Sequence, residues 1–164
     1  MPKSEGVVDD GVDDRATPRP TTVWRPRTLR YVAWGLAAVL MGAMLVLAVI
    51  LPPEWKAQDR ASMVLFGVVG VAVLGVLARP KVIAAEGRVT VVNCIRTYVL
   101  EWAEIIDVRM PVGEPWPTID LADGTTVGAM GIQSNDGKLA AAQLAAFRAM
   151  VHERGEAEEP PRAT

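Results

Sequence analysis

The chain has one cysteine, Cys94, and one histidine, His152. A single cysteine excludes a disulfide within the chain, and the pair provides no Cys/His cluster for a structural zinc ion. Acidic and basic residues nearly balance, at a formal net charge of −2. No excess of positive charge is therefore available to neutralise a nucleic-acid backbone. These shortages argue against a disulfide scaffold, a zinc finger and a nucleic-acid-binding protein.

Recognisable catalytic motifs are also missing. The sequence has no nucleophile–base pair, metal-ligand cluster or Gly-rich phosphate loop. Its carboxylates in the C-terminal half mostly alternate with apolar residues, as they do on the solvated faces of strands. We therefore predict that the protein is not an enzyme and uses no cofactor and no metal.

Hydrophobic residues are plentiful, at 51% of the chain, and two long uncharged runs cover residues 31–51 and 61–78. Crossing a bilayer takes about 20 apolar residues, and arginines at both ends of the shorter second run can snorkel to the interfaces. Two buried core helices are the alternative, but a domain this small has no room to surround them. We predict a transmembrane helical hairpin over residues 31–79.

Basic residues flank this hairpin on its outer side. They are Arg19, Arg25, Arg27 and Arg30 before the first run and Arg79, Lys81 and Arg88 after the second. The connecting loop has only Lys56 and Arg60. By the positive-inside rule, this asymmetry predicts a multi-pass protein of the cell membrane with both termini in the cytoplasm.

Residues 80–155 change to short alternating segments, which predict antiparallel strands. Asp123-Gly124 predicts a two-residue hairpin between strands at about 118–122 and 125–130. An amphipathic helix over about 136–153 must then cover one face or one open end of the sheet. Residues 1–30 and 156–164 have too few periodic apolar residues to fold, so we predict disordered tails there.

Three stretches resemble the bacterial PH-domain family of small actinobacterial membrane proteins, the group labelled low molecular weight protein antigen 6-like. They are RTYVLEWAEI at 96–105, IDLADGTTV at 119–127 and GIQS at 131–134. The resemblance implies a membrane protein in which a two-helix transmembrane hairpin precedes an α+β PH-like domain, with antiparallel strands capped by a C-terminal helix. It also implies a membrane location and brings no catalytic residues.

The loop at residues 110–117 has three prolines and one tryptophan. An exposed tryptophan in a stiff loop can anchor a partner, so Trp116, Pro115 and Pro117 are candidate partner-binding residues. The alternative is that Trp116 plugs one end of the sheet. The bases of the domain are spread along the sequence, and we predict no polybasic headgroup site.

Together these features predict a non-enzymatic, membrane-anchored PH-like interaction module that docks a protein or lipid partner at the cytoplasmic face. Its expected partners are the lipid bilayer and a membrane or cytoplasmic protein, with no nucleic acid. The alternative function is an accessory subunit of an envelope enzyme or transporter that acts through its transmembrane hairpin.

Overall fold

A computed structural model describes residues 21–155. Two long helices come first, α1 (Arg27–Ile50) and α2 (Ala57–Leu77), and both are long and apolar enough to cross a membrane by length and composition. They pack along each other at small residues, where Gly67 lies against the side chains of Met41 and Met44. Most of their large apolar side chains face outward, which is the pattern of a surface surrounded by lipid.

Two antiparallel sheets and a third helix form the rest. One sheet has the order β1-β2-β3-β4 and the other β5-β6-β7. The strands are β1 (Thr22–Trp24), β2 (Lys81–Ala84), β3 (Arg88–Val92), β4 (Thr97–Glu101), β5 (Ile105–Arg109), β6 (Thr118–Leu121) and β7 (Thr126–Gly128). Short 3₁₀ turns lie at Trp102–Glu104 and Ser134–Asp136, before the final helix α3 (Lys138–Gly155). The predicted fold class is thereby confirmed, with two apolar helices followed by antiparallel sheets and a C-terminal helix.

The helical hairpin is inserted between two neighbouring strands of one sheet. β1 ends just before α1 and pairs antiparallel with β2, which begins just after α2, with Trp24 opposite Val82. The strand before the helices therefore belongs to the domain that follows them. The point where the chain enters the helical hairpin and the point where it leaves it therefore lie side by side at one end of the sheet.

The core depends on this first strand. Phe147 of α3 is fully buried, with its ring centroid 5.3 Å from Trp24 and 6.5 Å from Trp102. The tilted geometries are those that aromatic pairs favour. The Trp102 indole also donates a hydrogen bond to the Ala85 carbonyl over 3.0 Å. Residues on both sides of the hairpin thus fill one hydrophobic core.

Two predictions about boundaries are wrong. Residues 22–30 do not belong to a disordered tail, since they form β1 and the start of α1. The PH-like domain is consequently not restricted to residues 80–155. A strand of three residues is too short to show a period in the sequence, and its partner strand lies beyond both helices. Residues 1–20 and 156–164, the remainder of the predicted tails, lie outside the described residues.

The predicted hairpin at Asp123-Gly124 is present, but its loop has three residues. Leu121 and Thr125 close the loop, and Gly124 adopts a φ of +82° after the turn, which is the common three-residue form. The Asp123 carboxylate accepts hydrogen bonds from the Thr125 amide and hydroxyl. These bonds hold the pKa of Asp123 below its ordinary value.

A soluble chain that keeps β1 should fold without the helices. We would join residues 21–25 to residues 81–155 through Asn-Gly, because Arg25 and Lys81 would then form the last pair before a two-residue turn. We expect this chain to unfold cooperatively in urea, and residues 80–155 alone to lose that transition or unfold at a lower urea concentration.

Trp24→Ala and Val23→Ala in the joined chain form a matched pair. Trp24 is 6% exposed and Val23 is 43% exposed. Trp24→Ala should lower the unfolding free energy by about 3–5 kcal/mol, whereas Val23→Ala should change it little. Equal stability of residues 80–155 and the joined chain would show that β1 is dispensable.

Candidate functional site

The start of α1 is capped by a side chain from the opposite end of the sequence. Pro26 occupies the N-cap position and has no side-chain acceptor for the first helical amides. The Asp136 carboxylate accepts both the Arg27 amide, on Oδ2, and the Thr28 amide, on Oδ1, each at 2.8 Å. A carboxylate also suits the positive end of the helix dipole. We call this contact the Asp136 cap.

The cap is held as a carboxylate. Partial burial opposes ionisation of Asp136, but hydrogen bonds from Thr28 and the Arg27 amide, with the charge of Arg27, outweigh it. The pKa of Asp136 therefore lies below its ordinary value of 3.8. At neutral pH the group is ionised and accepts both amides.

The proline-rich loop supports the turn that carries Asp136. The Ser134 amide at the start of that turn donates to the Pro115 carbonyl over 3.0 Å, and the Ala129 amide donates to the Pro117 carbonyl over 2.8 Å. Gly131 lies directly against the backbone of Lys81 and Val82, where a Cβ would collide. The cap therefore rests on the same end of the domain from which the helices leave.

A cavity of about 480 Å³ lies at this junction. Its walls come from the start of α1, from the end of α2 and from the adjoining ends of β2, β3 and β4. The lining residues are Arg25, Arg30, Trp34, Gly75, Ala78, Arg79, Pro80, Lys81, Val92 and Thr97. We call this cavity the basic pocket, because its lining within residues 21–155 has four cationic side chains and no carboxylate.

The four cations of the basic pocket have no partner among residues 21–155. No hydrogen bond or ion pair joins the side chains of Arg25, Arg30, Arg79 and Lys81 to that part of the chain. Like charges gathered in this way raise the local positive potential. The arrangement can attract and hold an anion.

The chain is similar to known proteins in its C-terminal domain. Residues 79–149 match the family described as bacterial PH domain. The C-terminal domain belongs to the bacterial PH-domain family. The match begins at Arg79, so it omits β1, which the structure adds to the PH domain from the other side of the hairpin. The predicted family resemblance is confirmed.

Two mycobacterial relatives cover most of the chain. They are uncharacterized protein Rv1417 of Mycobacterium tuberculosis and uncharacterized protein Mb1452 of Mycobacterium bovis. Each is 28% identical over 130 residues, which is 78% of this chain and 84% of the relative. The similarity thus extends beyond the PH domain into the preceding residues. No solved structure matches the chain with statistical significance.

The candidate partner-binding residues of the PH domain differ in accessibility. Pro115 is exposed, Trp116 is half-buried and Pro117 is fully buried, so the Pro117 side chain offers no surface to a partner. The Trp116 indole lies over Gly128, at a site that a Cβ would crowd. This contact lies at the end of β7, where the alternative of a plug expects the indole. Partner binding by Pro115 and the open side of Trp116 stays a prediction.

A second cavity, of about 380 Å³, lies between β5 and α3 of the PH domain. β5 is an edge strand, but the amide and carbonyl of Val108 already have partners. The amide donates to the Asp107 carboxylate over 2.7 Å, and the carbonyl accepts from Arg148 Nε over 2.5 Å. An edge blunted in this way is a poor template for an added strand.

The basic pocket is the feature that sequence reasoning missed. The expectation of no polybasic site counted only the bases of residues 80–155, and Arg25 and Arg30 precede the hairpin. A signal was present, because the outer ends of an antiparallel hairpin must meet. The flanking bases also predict the orientation of the hairpin, and that interpretation does not require them to share one site.

Replacing Asp136 should weaken the junction in a pH-dependent way. Asp136→Asn keeps the shape of the side chain but leaves one helical amide facing an NH₂ group, so we expect a loss of about 0.5–2 kcal/mol of unfolding free energy at pH 7. The folded-state pKa lies below 3.8, so the carboxylate stabilises the fold above that pH. The difference from the parent chain should shrink as the pH falls below 3.8.

Unfolding of the full chain in detergent, followed by tryptophan fluorescence at pH 7, 5 and 3.5, measures this effect. Glu153→Gln removes an exposed carboxylate near the end of α3, away from the cap, and is the matched control. An equal loss in Glu153→Gln, or a pH-independent loss in Asp136→Asn, would contradict the role given to the Asp136 cap.

Proposed function

We propose that the chain is a non-enzymatic, membrane-anchored interaction module whose PH domain docks a protein or lipid partner at the cytoplasmic face. The PH domain supports an interaction role, and the two apolar helices support membrane association. The observation that carries the proposal is the insertion of the hairpin between β1 and β2. It supports an arrangement in which the end of the domain next to the two helices faces the bilayer.

The groups at that end suit a membrane interface. They include the basic pocket, the half-exposed Trp34 near the start of α1, and the β3–β4 turn with Ile95 at its tip, 87% exposed. Aromatic and basic side chains are the usual residues of the interfacial region. Val92 and Thr97 flank this turn and also line the pocket, so turn and pocket share one end of the domain.

Charge supports the cytoplasmic orientation. The basic pocket draws its cations from both outer ends of the hairpin, whereas the connecting loop between the helices has only Lys56 and Arg60. An anionic inner leaflet attracts the first set and retains it in the cytoplasm. In this arrangement both termini and the PH domain lie inside the cell.

Cysteine labelling in intact cells tests the orientation. In a Cys94→Ser background, Gln58→Cys reports on the connecting loop and Ala142→Cys on an exposed face of α3. An impermeant maleimide should label Gln58→Cys in intact cells and Ala142→Cys only after permeabilisation. The reverse pattern, or equal labelling of both, would overturn the proposed topology.

A pull-down separates docking by the PH domain from action through the hairpin. The bait is either the full chain or the joined soluble chain of residues 21–25 and 81–155. A partner captured by both supports the interaction module. A partner captured only when the helices are present would favour the accessory-subunit alternative.

A further inference from the structure

We propose that the basic pocket binds the phosphate of one anionic phospholipid of the cytoplasmic leaflet. This inference rests on the proposed function, because it takes the hairpin to span the membrane with the PH domain inside. It goes further by naming a ligand class and a site for it. The hairpin and the domain both contribute residues to that site.

The size and shape of the pocket suit a lipid headgroup. Its volume of about 480 Å³ lies in the range of small-molecule sites, roughly 300–1,000 Å³. Trp34 and Gly75 form the wall that continues onto the helices, and there is open space where Gly75 lacks a Cβ. Acyl chains can therefore follow the outside of the hairpin while the headgroup enters the pocket.

The chemistry of the lining suits the singly charged phosphodiester group of an anionic phospholipid. Three guanidinium groups, from Arg25, Arg30 and Arg79, can each donate two parallel hydrogen bonds to phosphate oxygens. Lys81 adds a point charge and Thr97 a hydroxyl donor. The Asp136 carboxylate of the junction accepts hydrogen bonds from the amides of α1 and does not line the pocket.

The position of the pocket favours a lipid over a soluble anion. Two apolar side chains are exposed at this end of the domain, Trp34 at 54% and Ile95 at 87%. A soluble anion bound in the pocket would leave both of them in contact with water. A bilayer interface would cover both side chains. The same bilayer would present its phosphates at the depth where Arg30 and Arg79 flank the ends of the two helices.

Native mass spectrometry of the full chain in detergent tests the site. Phosphatidylglycerol, phosphatidylcholine and inorganic phosphate are titrated separately, and the bound fraction is read from the mass. The parent chain should retain one phosphatidylglycerol and little phosphatidylcholine. At about 1 kcal/mol per interfacial base, Arg79→Gln should weaken phosphatidylglycerol binding about five-fold and Arg30→Gln/Arg79→Gln about 25-fold.

Arg88→Gln is the matched control, because it removes the same charge from an exposed position at the far turn between β2 and β3. It should leave phosphatidylglycerol binding unchanged, and all variants should keep the parental unfolding midpoint. Equal weakening by Arg88→Gln would mean diffuse electrostatic binding and overturn the site. Equal retention of phosphatidylcholine, or displacement of the lipid by inorganic phosphate at the same concentration, would also overturn it.

The lipid titration and the cysteine labelling can fail independently. Detergent has no inside or outside, so the titration reports on the pocket whichever way the chain inserts. Labelling of Gln58→Cys and Ala142→Cys reports on orientation whether or not the pocket binds lipid. Lost lipid selectivity with the expected labelling refutes this inference alone, and retained selectivity with reversed labelling refutes the proposed function.

Discussion

The first amides of α1 require an acceptor, and Pro26 cannot supply one. The chain satisfies them with Asp136, 109 residues away from Arg27, so the helix begins only where the folded PH domain places that carboxylate. β1 imposes a second constraint one turn earlier, since Trp24 packs on Phe147 in the core of the domain. Because both contacts flank the same helix start, hairpin and domain are held as one unit and not as two bodies on a linker.

This attachment explains how a chain with no net positive charge acquires a strongly basic site. The residues that flank the two helices are far apart in sequence, but the hairpin and the β1–β2 pairing bring them to one end of the sheet. Repulsion among Arg25, Arg30, Arg79 and Lys81 would be relieved by a bound anion. The Asp136 carboxylate does not line the basic pocket and instead accepts the first two amides of α1, at the positive end of the helix dipole.

The sequence was informative wherever a signal was local. Long uncharged runs predicted the two helices, Asp123-Gly124 predicted a hairpin, and alternation predicted most strands of the PH domain. β1 was not predicted, because three residues are too few to show a period of two. The Asp136 cap was not predicted either, because capping rules look for an acceptor next to the helix in sequence. The basic pocket was not predicted, although its residues are present in the sequence. Their proximity follows only from the helical hairpin and its insertion between β1 and β2 together.

The distance between hairpin and domain tests the rigid attachment most directly. Spin labels at Gln58→Cys and Ala142→Cys, in a Cys94→Ser background and a lipid nanodisc, give that distance by double electron–electron resonance. The account predicts a single narrow distribution for the otherwise unaltered chain and a broad one when Trp24→Ala and Asp136→Ala are combined. A broad distribution without those two substitutions would mean that the domain swings freely, and would contradict the account.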